Sequence, residues 1–248
     1  MNAFYPAAAV LAAYLVGSLS FAVIISRAFG LSDPRTYGSG NPGATNVLRS
    51  GHKGAAVLTL IFDALKGYVP VALVGAFGAA HGLGEGTAAA VALAAFAGHL
   101  WPVFFKFQGG KGVATAAGAI FGLNPLLGLA TLATWVIIAA FFRYSSLAAI
   151  VSAVFAPFYE LLIWGGDATA GAITLMGLLL VWRHGANIQK LLKGTESKLG
   201  AKKASSLAAV PHPHAEHKPH SHSKSHSPSH PAPHSHAPKH GHKQGHKR

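Results

Sequence analysis

The chain has no cysteine at all. That excludes disulfides, thiolate metal ligands and a cysteine acyl-enzyme. Charge is almost as scarce: only 11% of the 248 residues are Asp, Glu, Lys or Arg, and only 7 are acidic. With 51% apolar residues and a mean hydropathy of +0.37, long uncharged runs dominate, and a soluble globule is excluded in favour of a multi-spanning membrane protein. No basic residue precedes Arg27, so the first apolar run lacks the basic start of a cleaved signal peptide and is kept as a span.

The apolar runs predict an all-α, polytopic integral membrane protein of seven transmembrane helices, some of them short. The predicted spans are Ala3 to Ser26, Gly54 to Ala80, Thr87 to Phe105, Val113 to Leu123, Leu126 to Phe142, Leu147 to Trp164 and Ala168 to Trp182. At 1.5 Å per residue the fourth reaches only about 17 Å, so it is expected to be short or partly inserted. Arg27, Arg35, Arg49 and Lys53 follow the first span, which places that loop in the cytoplasm and the N-terminus outside. Alternation then puts Lys106, Lys111, Arg143, Arg183, Lys190 and Lys193 on the same inner side, and Glu85 and Asp167 outside. Residues 1–198 form the expected membrane domain. Residues 199–248, rich in His, Pro, Ser and Lys, are expected to be a disordered cytoplasmic tail without a core, able to attract metal ions loosely or to become cationic in acid.

What is polar gathers in the inner loops. Gly38-Ser39-Gly40-Asn41-Pro42-Gly43-Ala44-Thr45-Asn46 ends with Arg49, a set of hydroxyl and amide donors beside a bidentate phosphate ligand. Its glycine spacing resembles a dinucleotide fingerprint, but no strand precedes it and no βαβ unit fits among apolar helices. Gly109-Gly110-Lys111-Gly112, followed by Thr115, combines turn glycines with one charge, the composition of an anion-binding concavity. It lacks the remaining elements of a nucleotide-binding P-loop. A third group is His184, Asn187 and Glu196, with His184 and Asn187 spaced to share a helix face. The fourth is Ser145-Ser146 behind Arg143. Within the second span, Asp63 and Lys66 stand at i and i+3 and are able to pair.

Taken in order, the 38–49 loop, Asp63-x-x-Lys66-Gly67, the 98–115 stretch, Tyr144-Ser145-Ser146 and the 184–196 segment resemble the acyl-phosphate:glycerol-3-phosphate acyltransferases of the PlsY type over about residues 1–200. The resemblance implies a bacterial inner-membrane enzyme with its site on the cytoplasmic side. It would transfer a fatty acyl group from acyl-phosphate to the sn-1 hydroxyl of glycerol 3-phosphate, without a metal or other cofactor. By this resemblance Ser39, Arg49, Lys111, His184 and Asn187 are the expected catalytic residues. Gly40, Asn41, Thr45, Asn46, Gly109, Gly110, Gly112, Thr115, Ser145, Ser146 and Glu196 would bind the substrates. Gly185-Ala186 departs from the polar residues expected between His184 and Asn187. No His-x-x-x-x-Asp dyad occurs, so the chain does not resemble the thioester-dependent acyltransferases. A small polytopic anion transporter is the alternative reading of polar groups and broken helices inside a bundle.

Overall fold

The structure is a computed structural model that describes residues 4–200, and within them all regular structure is helical. The elements are α1 (Phe4–Gly17), α2 (Phe21–Ala28), α3 (Ala44–Leu48), α4 (Lys53–Phe77), α5 (Glu85–Leu100), α6 (Val113–Leu123), α7 (Pro125–Phe142), α8 (Ser145–Ile163), α9 (Ala168–Arg183) and α10 (Gly185–Leu192). Four helical stretches among the described residues are long and apolar enough to cross a bilayer: Lys53–His81, Glu85–Phe105, Pro125–Phe142 and Ser145–Ile163. Counted as one span, the pair α1 and α2, bent by 43°, would make a fifth, while α6 and α9 are apolar but shorter. The expected tail lies, from residue 201 onward, outside the described residues. Leu199 is still tied to the helical part, its N–H donating to the Arg143 carbonyl at 2.6 Å.

Two predicted spans are interrupted, while the remaining bounds shift by a few residues at most. The first span is interrupted at Ser18–Ser20, where Gly17 lies so close to the Ala95 backbone that a Cβ would collide with it. Ser18 turns its hydroxyl back to the Tyr14 carbonyl at 2.8 Å, a bond that competes with helix continuation. The third span stops as an α-helix at Leu100, since Trp101 precedes Pro102 and is pushed out of the helical region. A 3-10 turn, Val103–Phe105, follows. By contrast α6 has the predicted bounds. Asn124 ends it and starts α7, its Oδ1 accepting the Leu126 and Leu127 N–H groups at 3.1 and 3.2 Å.

Small residues set how closely the helices approach. Gly67 and Gly118 allow α4 and α6 into backbone contact, and Gly98 does the same for α5 against α1. One core cluster runs through α4, α5, α6, α8 and α9 around Phe96, Leu100, Ile173 and Met176. Outward faces carry Leu60, Ile61 and Leu65 on α4, Leu126, Leu129 and Phe141 on α7, and Phe158, Leu161 and Leu162 on α8, all exposed. Apolar surface on this scale is the mark of a protein solvated by lipid.

Candidate active site

The loop 29–52 is folded around one side chain. Asn46, 2% exposed, donates through Nδ2 to the carbonyls of Pro34 (2.6 Å) and Tyr37 (3.1 Å), and its Oδ1 accepts from Ser39 N–H (3.0 Å) and Arg49 Nη1 (3.3 Å). All its hydrogen-bonding capacity is spent on the loop. Asn46, expected as a phosphate ligand, therefore positions Ser39 and Arg49 instead. Gly38 and Gly40 have φ of +62° and +68°, and a Cβ on Gly38 would strike Asn46 Oδ1, which accounts for glycine there.

The glycine loop 109–112 is held from both sides. Gly110 N–H donates to the His99 carbonyl at 3.1 Å. Arg183 grips the two carbonyls, with Nη2 2.9 Å from Gly109 O and Gly110 O, and Nε 3.1 Å from Gly110 O. The concavity expected from consecutive free N–H groups is thus not formed at Gly110, whose N–H is already taken. Its donors are replaced by the first turn of α6, whose N–H groups lack intrahelical partners and whose Val113 and Ala114 border the cavity behind Gly112 (φ +81°).

Lys111 projects from this loop and donates to Asn187 Oδ1. Asn187 Nδ2 in turn donates to Glu196 Oε1 at 2.7 Å, and the same oxygen accepts from Ser146 Oγ at 2.8 Å. Residues from the glycine loop, α10, the 193–200 segment and α8 therefore form one chain of bonds. His184 closes α9 and is buried (3% exposed), with Nδ1 2.8 Å from the Leu180 carbonyl. A carbonyl only accepts, so the bond assigns the proton to Nδ1 and leaves Nε2 as an acceptor.

These groups meet at a cavity of about 270 Å³. Ser39, Asn41, Thr45, Asn46, Arg49, Lys111, Gly112, Ser145, Ser146, His184, Asn187 and Glu196 border it. The other expected site residues lie off it. Gly40 and Gly109 border a separate polar depression with Arg35 and Arg183, Gly110 packs on His99, and Thr115, fully buried, bonds His99 Nδ1 at 3.1 Å. Beyond Ser146 the same cavity continues as an apolar groove. Its walls are Ala149, Ser152, Ala153 and Ala156 of α8, Ala116 and Ile120 of α6, Trp135 of α7, and Ile173, Met176 and Leu180 of α9. Arg183 is a residue that sequence reasoning used only as a topological charge. Asp63, expected only to pair with Lys66, and His99, which stood only within the 98–115 stretch, also reach the cavity.

The electrostatics are those of a site prepared for anions. Burial brings Lys111 down to about 8, with Glu196 opposing and Lys190, Arg49 and Arg183 reinforcing the fall. Burial likewise lowers His184 to about 4, so its imidazole is neutral through the physiological range. It follows that kcat/KM, which reports the free enzyme, should fall above pH 8 as Lys111 loses its proton. His184 should add no inflection between pH 5 and 8. In Lys111→Arg the alkaline limb should vanish from the accessible range. A rate profile with the same limb in that variant would assign it to another group.

The arrangement is that of a helical membrane protein whose interhelical loops gather cationic and polar side chains at the mouth of an apolar groove. Residues 7–194 match the family model described as Glycerol-3-phosphate acyltransferase, and the chain belongs to that family. A glycerol-3-phosphate acyltransferase of Cupriavidus pinatubonensis is 63% identical over 193 residues, 78% of this chain and 96% of its own. One from Ralstonia nicotianae is 65% identical over 192 residues, 77% and 93% of the two chains. The crystal structure of PlsY (YgiH), an integral membrane glycerol 3-phosphate acyltransferase, in its glycerol 3-phosphate form superposes with a TM-score of 0.73 at 37% identity, over 79% of this chain and 96% of that one. Its lysophosphatidic acid form gives 0.71 at 36%. The protein is thus a multi-pass membrane acyltransferase.

Proposed function

We propose that the chain transfers a fatty acyl group from acyl-phosphate to the sn-1 hydroxyl of glycerol 3-phosphate, releasing lysophosphatidic acid and inorganic phosphate. The observation that carries this reading is the continuity of cage and groove, since Ser146 borders both the polar end and the first turn of the apolar wall. An acyl-phosphate has that shape, a phosphate joined through a carbonyl to a chain. Arg49, Lys111 and the first turn of α6 hold phosphate oxygens, with Ser39, Asn41, Thr45, Ser145 and Ser146 as neutral donors. Asn187 and Glu196 fix Lys111 rather than the substrate.

The hydroxyl of glycerol 3-phosphate attacks the acyl carbon, a new ester C–O bond forms, and the bond from that carbon to the phosphate oxygen breaks. The hydroxyl proton passes to the leaving phosphate, whose dianion has a conjugate-acid pKa within about one unit of neutrality and is the better base at neutral pH. His184, at about 4, is too weak a base for that task, and its Nε2 instead accepts a hydrogen bond that orients a hydroxyl. Positioning and charge stabilisation suffice because the donor is already an activated anhydride.

In the bilayer, the bent α1–α2 pair, α4, α5, α6, α7, α8 and α9 make seven crossings, with the N-terminus outside and the cage facing the cytoplasm of a bacterial inner membrane. Residues 1–198 are the acyltransferase domain, and 199–248 an appended tail whose histidines are able to bind metal ions loosely. Radiolabelled glycerol 3-phosphate incubated with acyl-phosphate, with and without the purified chain, tests the activity. Label in lysophosphatidic acid is expected. Uptake of glycerol 3-phosphate into proteoliposomes without acyl transfer would favour an anion transporter instead.

The groove carries its own prediction. Ala156 lies ten residues beyond Ser146 on α8, about 15 Å deeper. Ala156→Phe should lower kcat/KM for long-chain donors about tenfold or more, yet leave short-chain donors within about twofold. Initial rates across a chain-length series decide it, and an equal loss at all lengths would move the acyl chain elsewhere.

A further inference from the structure

We propose that Asp63, Lys66 and His99 are positioning residues for Lys111, acting through Gly110. This rests on the assignment of Lys111 to the phosphate cage. The three side chains are buried within the helices, at 3, 3 and 7% exposure. Lys66 Nζ lies 2.7 Å from Asp63 Oδ1 and donates at 2.7 Å to the Leu19 carbonyl, in the break between α1 and α2. Asp63 Oδ1 is 3.7 Å from His99 Nδ1, and that nitrogen is 3.1 Å from Thr115 Oγ1. The cluster therefore joins the broken first span to α4, α5 and α6.

Its output is a fixed His99. The His99 carbonyl accepts the Gly110 N–H, and the ring presents Nε2 against Gly110 so closely that a Cβ there would overlap it. Arg183 holds the same peptides from the other side. The residue next in the chain is Lys111, so its backbone is clamped between His99 and Arg183. An ion pair buried at this depth repays little more than its desolvation, and apolar side chains of similar volume would hold helices together as well. What they would not do is aim a ring and a carbonyl at one peptide.

The test uses the full-length enzyme in nanodiscs and two readouts. The first needs no donor: acetylation of Lys111 by limiting acetic anhydride, followed by peptide mass spectrometry across pH. The wild-type midpoint should lie at about 8. In His99→Ala and Lys66→Met, Lys111 should be less enclosed and its midpoint should rise by about one pH unit, a tenfold change in proton affinity. Its charged neighbours Glu196, Lys190, Arg49 and Arg183 are untouched in both variants. His99→Asn, which keeps a hydrogen-bonding atom near the place of Nδ1, should restore the wild-type midpoint.

The second readout is a double-mutant cycle on kcat/KM. Gly110→Ala should lose about tenfold through overlap with the ring, and His99→Ala/Gly110→Ala should recover at least about threefold over Gly110→Ala, because the ring is gone. Unmoved Lys111 midpoints in both variants, or additive losses in the cycle, would overturn the proposal. Absence of turnover in the wild type with acyl-phosphate would count against the assigned reaction alone, since the acetylation midpoints still decide the positioning.

Discussion

Lys111→Ala should lower kcat/KM by about 10²- to 10³-fold, the range for removing one preorganised charge partner from a water-poor site. Two effects combine. The phosphate loses a cation, and the Asn187 and Glu196 groups that Lys111 engages are left facing the cavity without it. A carboxylate so exposed repels the incoming phosphate, so Lys111→Ala should be worse than the double change Lys111→Ala/Glu196→Gln. Asn46→Ala should act differently, through slack in Ser39 and Arg49, and should raise KM more than it lowers kcat. Initial rates at saturating donor and varied glycerol 3-phosphate separate these outcomes. A Lys111→Ala enzyme within about threefold of wild type would remove Lys111 from the phosphate cage.

Much of this arrangement was legible in the chain, and for a definite reason. In a bilayer, long uncharged runs are read as helices, and alternation then assigns the loops bearing Ser39, Arg49, Lys111, Ser146 and Asn187 to a common side. These five could therefore be grouped without knowing a single distance, and they do border one cavity. Asp63 and Lys66 pair as their spacing allows. What escaped detection depends on contacts between distant segments. Gly110 was read as a free donor because a glycine loop in isolation has free N–H groups, but the His99 carbonyl, in another helix, takes this one. The break at Ser18–Ser20 carries no proline, and follows from the approach of Gly17 to Ala95 and from Lys66 meeting the Leu19 carbonyl. Asn46 is named as a ligand by its type, and as a hub only by its four partners.

Acyl-CoA should not replace acyl-phosphate as donor, with kcat/KM lower by about 10³-fold or more at matched chain length. A thioester carries no phosphate beside its carbonyl, so Lys111, Arg49 and the first turn of α6 would have nothing to hold at the reacting centre. The leaving group is also poorer: a free thiol has a pKa near 8.5, above the second ionisation of phosphate at roughly 6 to 7. Among the described residues, the serines that border the cavity are not set up for covalent catalysis. Cysteine is absent, and the Ser146 hydroxyl donates its hydrogen bond to Glu196 Oε1, an oxygen already shared with Asn187. Ser145 and Ser39 have no histidine bonded to them among the described residues, where His184 Nδ1 is turned to the Leu180 carbonyl and His99 Nδ1 to Thr115. Acyl-CoA should still compete, because its chain fits the same groove. Product formation from each donor, with a search for acyl-enzyme when glycerol 3-phosphate is withheld, makes the comparison. Efficient transfer from acyl-CoA, or an acyl group trapped on Ser39, Ser145 or Ser146, would replace direct attack by a two-step mechanism, and Lys111 would then stabilise a tetrahedral oxyanion instead of a departing phosphate.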